Sequence, residues 1–84
     1  MFLLDRRTYR GKKPKNANGF VDDRTIVFLS PTQVQYDSPA VPFGRKCPKV
    51  SRKKFEDWAD HDVSDQLPAG EYQRWEDYEQ RRGR

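Results

Sequence analysis

The segment Thr25–Leu29, TIVFL, constrains this chain more than any other. It is continuous, apolar and rich in β-branched and aromatic residues, as a strand buried on both faces would be. Ser30-Pro31 ends it with a turn signal. The next stretch, TQVQYD, has a period of two: Val34 and Tyr36 face one side, Gln33, Gln35 and Asp37 the other. That is the pattern of a half-buried strand. Upstream, MFLLDRRTYR reads as a first strand with Phe2, Leu4 and Tyr9 on its buried side. Between them, Gly11–Gly19 (GKKPKNANG) is a loop by composition, mobile and carrying Lys12, Lys13 and Lys15. SPAVPFG is a turn or loop, and RKCPKV returns as a short edge strand, where Pro48 is tolerated.

Two helices are expected. Ser51 is a good N-cap, and Val50 before it with Phe55 after it has the spacing of a hydrophobic staple. Phe55, Trp58, Ala59 and Asp62/Val63 then give one apolar face, predicting a helix over Ser51–Asp62. LPAG breaks the chain. EYQRWEDYEQRR follows as a second helix, whose Tyr72, Trp75 and Tyr78 dock onto the sheet or await a partner. The expected fold is α+β in one domain spanning residues 1–84. Three or four antiparallel strands, open or curled into a small barrel, are packed by the Ser51 helix. A C-terminal helix covers another edge, with a loose end at residues 80–84.

Such a chain can build only a thin core, because 33% of its residues are hydrophobic and 36% charged. Two Trp, four Tyr and five Phe compensate in part, since each ring buries a large area. One cysteine, Cys47, forms no internal disulfide and fits a reducing cytosol. No apolar run approaches the roughly 20 residues of a membrane helix. MFLL is followed at once by Asp5, Arg6 and Arg7, which is not the pattern of a signal peptide. The expected setting is the cytoplasm, with no membrane partner; oligomers are compatible with a core this thin.

Charge is segregated. The net charge is +4, yet residues 45–54 carry six cations and no acid, and residues 56–65 carry five acids and no Lys or Arg. Arg52, Lys53 and Lys54 fall in the first turn of the expected helix, the end where the helix dipole disfavours them by about 0.3–1 kcal/mol each. Pairing with Glu56 and Asp57 at i,i+4 returns roughly 0.2–0.5 kcal/mol per pair and leaves part of that cost. The alternative is an anion site: helix N–H groups with Arg52, Lys53 and Lys54, approached by Arg45, Lys46 and Lys49, and joined by Lys12, Lys13 and Lys15 as a flexible arm. Nucleic acid contacted through phosphates, without sequence specificity, is the first partner this suggests. The acids Glu56, Asp57, Asp60, Asp62 and Asp65 oppose it and suit a protein with a complementary charged surface. In that case Trp58, Trp75, Tyr72 and Tyr78 are the interface candidates. Tyr9, Tyr36 and Phe43 are the rings considered for stacking on bases.

Catalysis is not expected. His61 is the only histidine; it lies i,i+4 from Asp57 and beside Asp60 and Asp62, a spacing that matches no defined metal cage. Cys47 sits among Arg45, Lys46 and Lys49, which would lower its pKa, but nothing supplies an orienting group or an oxyanion site. No glycine-rich phosphate motif is present. No catalytic residue, metal site or cofactor is therefore assigned.

The block VQYDSPAVPFGRKCPKVSRKKFEDWA, set in a short basic chain with dense aromatics, a strand-rich middle and a charged helical end, resembles small accessory proteins of tailed phages and prophages. That resemblance implies a binding role in the host cytoplasm: contact with host or phage nucleic acid, or obstruction of a host protein.

Overall fold

Five strands form one antiparallel sheet in the computed structural model, which describes residues 2–68 and 71–82. In chain order the elements are β1 (Thr8–Gly11), β2 (Asn16–Ala17), β3 (Phe20–Val21), β4 (Arg24–Leu29), β5 (Gln33–Asp37), β6 (Lys49–Ser51), α1 (Arg52–Trp58), β7 (Ala59–Asp62), a 3-10 turn (Ser64–Gln66) and α2 (Trp75–Arg82). The sheet order is β6-β5-β4-β1-β7, and β2 pairs only with β3. The fold is α+β, as expected, with a C-terminal helix. The main sheet has one strand more than the three or four foreseen because residues read as the second half of a helix form β7, and the small β2–β3 pair adds two further strands.

That revision has a local cause. Ser51 does cap α1: its hydroxyl accepts from Lys54 N at 3.1 Å. The helix stops at Trp58 because Ala59 turns extended, at φ −75° and ψ 138°, and enters the ladder beside β1. Ala59 and Val63 are buried, as the helical spacing implied, but from strand and loop positions. Since β6 and β7 are the two outer strands, α1 connects the two edges of the sheet and packs against β5, β6 and β7.

Phe55 is the centre of the core. Its ring lies 5.9 Å from Tyr9, 6.0 Å from Tyr36 and 5.3 Å from Trp58, and it is fully buried with Ile26, Val34 and Ala59 around it. Burying one such ring contributes about 1.5–3 kcal/mol, a large share of what so thin a core supplies. Val34 and Tyr36 point inward as their alternation predicted, and Val50 packs against the same cluster.

Three expectations fail on burial or phase. The N-terminal segment is not a strand with Phe2 and Leu4 inside; those two are exposed and Leu3 is buried, and the chain turns at Asp5-Arg6 (Arg6 φ 66°) before β1 begins at Thr8. β4 is not buried on both faces: a bulge between Ile26 and Phe28 turns Phe28 outward, 47% exposed. The Gly11–Gly19 stretch is not wholly loop. Gly11 ends β1, and Asn18-Gly19, both with positive φ (54° and 90°), form the two-residue turn of the β2–β3 hairpin.

The C-terminal segment docks. Val21 N donates to Gln73 O and Trp75 N to Gly19 O, each at 2.9 Å, so residues 73–75 run along the hairpin. Tyr72 Oη reaches Thr25 Oγ1 at 2.9 Å and donates to Asp37 O at 3.2 Å, on the sheet face away from Phe55. The expected LPAG break includes Ala69 and Gly70, and the loose end at 80–84 includes Gly83 and Arg84; these four lie outside the described residues, as does Met1. Residues 80–82 close α2.

Candidate nucleic-acid interface

Both i,i+4 pairs on α1 form. Arg52 Nε donates to Glu56 at 3.3 Å, and Lys53 Nζ to Asp57 at 3.1 Å. Arg52 also donates through Nη1 to Ser30 O at 3.0 Å, while its backbone N–H reaches Thr32 O at 2.9 Å. Arg52 is thus a strut that fastens the helix start to the β4–β5 turn. With the Lys54 N–H on Ser51 and the Arg52 N–H on Thr32, the helix entrance has used amides that an anion socket would need. The N-terminal site centred on Arg52, Lys53 and Lys54 is reduced to Lys54, which has no carboxylate partner among the described residues.

The five acids of residues 56–65 are each engaged within the chain. Glu56 and Asp57 hold Arg52 and Lys53. Asp60 Oδ2 lies 2.7 Å from His61 Nδ1, and Arg7 donates to both Asp62 (2.8 Å) and Asp65 (3.3 Å). His61 therefore faces Asp60 rather than Asp57, because residues 59–62 are strand and the helical spacing no longer applies. Desolvation pushes the Asp62 carboxyl up, but hydrogen bonds from Arg7 and Ser64 outweigh it and hold the group below its ordinary 3.8.

A second cationic group lies at the other end of α1. Lys12 N donates to Trp58 O at 3.0 Å, satisfying a terminal helix carbonyl, and Asp22 N donates to Lys15 O at 2.9 Å. The β1–β2 connection thus brings Lys12, Lys13 and Lys15 to the helix C-terminus, the end where the dipole favours cations. With Asp22, Arg24 and Trp58 these lysines line a cleft of about 340 Å³. Arg24, which sequence reading overlooked, lies between two rings, its Cζ 4.1 Å from Trp58 and 4.5 Å from Tyr36. Its Nε and the Asp22 Oδ1 are buried with no hydrogen-bond partner. The guanidinium is held through its faces. No periodicity marks Arg24; it merely precedes TIVFL.

The third group, Arg45, Lys46 and Lys49, sits on the β5–β6 connection and the edge strand β6, exposed and without carboxylate partners among the described residues. Phe43 stands just before them as the most exposed large apolar side chain among the described residues. Tyr9 is 2% exposed, and Tyr36 is half-buried beneath Arg24. Of the three rings considered for base stacking, Phe43 alone is open.

The four aromatics named as protein-interface candidates are half-buried and occupied internally. Trp58 is packed by Phe55 and Arg24 and against Gly11, where an added Cβ would lie 2.5 Å from its Nε1. Tyr72 is bonded to Thr25 and Asp37, and burial pushes its phenol up from 10.0. Trp75 and Tyr78 stack at 5.2 Å, and the Tyr78 ring also carries Arg10, 5.2 Å from its centroid.

Cys47 is a free, half-buried thiol whose backbone carbonyl accepts from Gln35 Nε2 at 2.9 Å. No helix among the described residues is long and apolar enough to cross a membrane. No protein-family model matches this chain, nor does a curated protein or a solved structure.

Proposed function

We propose that this chain is a non-catalytic binding protein that contacts nucleic-acid phosphates without reading their sequence. The contacts come from Lys12, Lys13 and Lys15 at the C-terminal end of α1, from Lys54 in its first turn, and from Lys49, Lys46 and Arg45 on β6 and the connection before it. One observation carries the reading: the acids of residues 56–65 are consumed by Arg52, Lys53, His61 and Arg7, whereas these seven cations have no carboxylate partner among the described residues. Three cations meet four of those acids, and Asp60 meets His61, which is charged only when protonated, so the acidic run is paired in part and the seven unpartnered cations outnumber what it leaves. α1 has seven residues, about 10 Å at 1.5 Å per residue, so a strand laid along it can meet Lys54 as well as the lysines at its C-terminal end.

The test is a salt titration of binding to a mixed-sequence oligonucleotide. Affinity should fall steeply with salt, with a log–log slope of about 0.7–0.9 per phosphate contacted. Reversing Lys12, Lys13 and Lys15 to Glu, or Arg45, Lys46 and Lys49 to Glu, should each lower the slope by about 2–3. Binding that ignores salt, or that survives both reversals, overturns the reading.

A further inference from the structure

We propose that Phe43 stacks on an unpaired base, so that the preferred ligand is single-stranded nucleic acid rather than duplex. This rests on the phosphate-binding reading above and deepens it.

A defined backbone turn holds this ring outward. Residues 38–45 make two successive turns: Val41 N donates to Ser38 O, and Arg45 N to Pro42 O, both at 3.1 Å. In the second turn Gly44 has φ +81°, the value that the third residue of a type II turn requires. Phe43 is the second residue of that turn and so occupies its outer corner. The connection is pinned at three points: Asn18 Nδ2 donates to Pro39 O (2.9 Å), Gln35 Nε2 to Cys47 O (2.9 Å) and Tyr36 N to Pro48 O (3.1 Å). A tethered turn loses little further freedom when its tip is used. Phe43 is 107% exposed, against 80% for Phe2 and 47% for Phe28.

What surrounds the ring selects the occupant. Arg45 and Lys46 follow within three residues and Lys49 within six, all exposed and without carboxylate partners among the described residues. An aromatic face beside a line of cations is the combination that single-strand binders use: cations track the backbone and rings take the bases, with little dependence on sequence. Duplex bases are already stacked and offer the ring no face unless the duplex is opened. A lipid surface is the weaker match, because stable anchoring needs more apolar insertion than one ring supplies.

The experiment compares the parent with Phe43→Ala and Phe43→Trp on a single-stranded oligonucleotide, on the same sequence as duplex, and on anionic phospholipid vesicles. Phe43→Ala should weaken single-strand binding by about 5- to 100-fold, the cost of one lost base stack, while leaving duplex affinity and the salt slope unchanged. Phe43→Trp should retain binding and show quenching by single strands beyond that of Trp58 and Trp75 in the parent. The proposal is overturned if Phe43→Ala binds single strands as the parent does, if it weakens duplex equally, or if the Phe43→Trp signal responds to vesicles and not to the oligonucleotide. A parent that binds neither nucleic acid removes the phosphate reading along with this one; a salt-dependent parent indifferent to Phe43 removes this one alone. Unchanged urea midpoints in both variants show that folding is not the cause.

Discussion

Arg10 and Asp23 meet as a bidentate pair inside the protein: Nε and Nη2 of the arginine donate to Oδ1 and Oδ2 of the aspartate, each at 2.9 Å, and the Asp23 side chain is fully buried. Arg10 Nη2 also donates to Gln73 Oε1 at 2.8 Å, and the Tyr78 ring lies against the guanidinium. One side chain thus joins β1, the turn between β3 and β4, and the C-terminal segment.

Removing one partner of such a pair leaves an uncompensated buried charge, so Arg10→Met should cost about 3–5 kcal/mol at neutral pH, measured by urea unfolding. The double variant Arg10→Met/Asp23→Leu should recover most of that loss. The pH dependence follows from Asp23. Burial pushes its carboxyl up while Arg10 opposes, and the net direction is upward from 3.8. A raised acid binds protons more readily folded than unfolded, so its contribution declines as pH rises through that window. Without Arg10 the rise is larger, and Arg10→Met should be more stable at about pH 4.5 than at neutral pH.

Asp62 behaves with the opposite sign. Its carboxyl is held below 3.8, so its contribution is complete above the unfolded value and is lost as pH falls through the lower folded value. Acid titration of the parent should show a fall in stability beginning below about pH 4, and Asp62→Asn should flatten part of it. An unchanged acid limb in the variant would remove Asp62 as its source.

Gly11 tests the Trp58 packing. A Cβ there would lie 2.5 Å from Nε1 and 2.7 Å from Cε2 of Trp58. Gly11→Ala should therefore destabilise by about 1–3 kcal/mol, the usual cost of overpacking. Trp58→Leu in the Gly11→Ala background should cost less than Trp58→Leu alone, because the clash has gone. Strictly additive losses would show that the two residues do not press on each other.

Arg52 and Lys54, two positions apart, should separate stability from binding. Arg52 fastens α1 to Ser30 and Glu56, so Arg52→Ala should lower the urea midpoint by an amount equivalent to about 1–2 kcal/mol and leave the salt slope nearly intact. Lys54→Ala should do the reverse, reducing the slope by about one contact with stability unchanged. Equal effects on both measurements for both variants would contradict the division of roles.

The legible parts of this fold are those fixed by neighbours in sequence. Ser51, Val50 and Phe55 mark the start of α1 through a local cap and staple. Val34 and Tyr36 mark β5 through alternation. The end of α1 was hidden because Phe55, Trp58, Ala59 and Val63 satisfy a helical stripe and also a helix followed by a strand; pairing with β1 decided between them. Asn18-Gly19 did carry a hairpin signal, outweighed by the lysines and proline around it. At the candidate site, runs of cations were readable and so were the i,i+4 pairs. Arg7 with Asp62 was not, since 55 residues separate them, and with it went the knowledge that part of the acidic run is paired.

The sheet order has a further implication for synthesis. β1 lies between β4 and β7, and Tyr9 registers with Asp62, so one of the first strands to leave the ribosome waits for the last one before its second side is covered. Until then it offers a bare rim to any neighbouring nascent chain. Release of a product truncated after α1 would make that exposure permanent, and such fragments should aggregate where the intact protein does not.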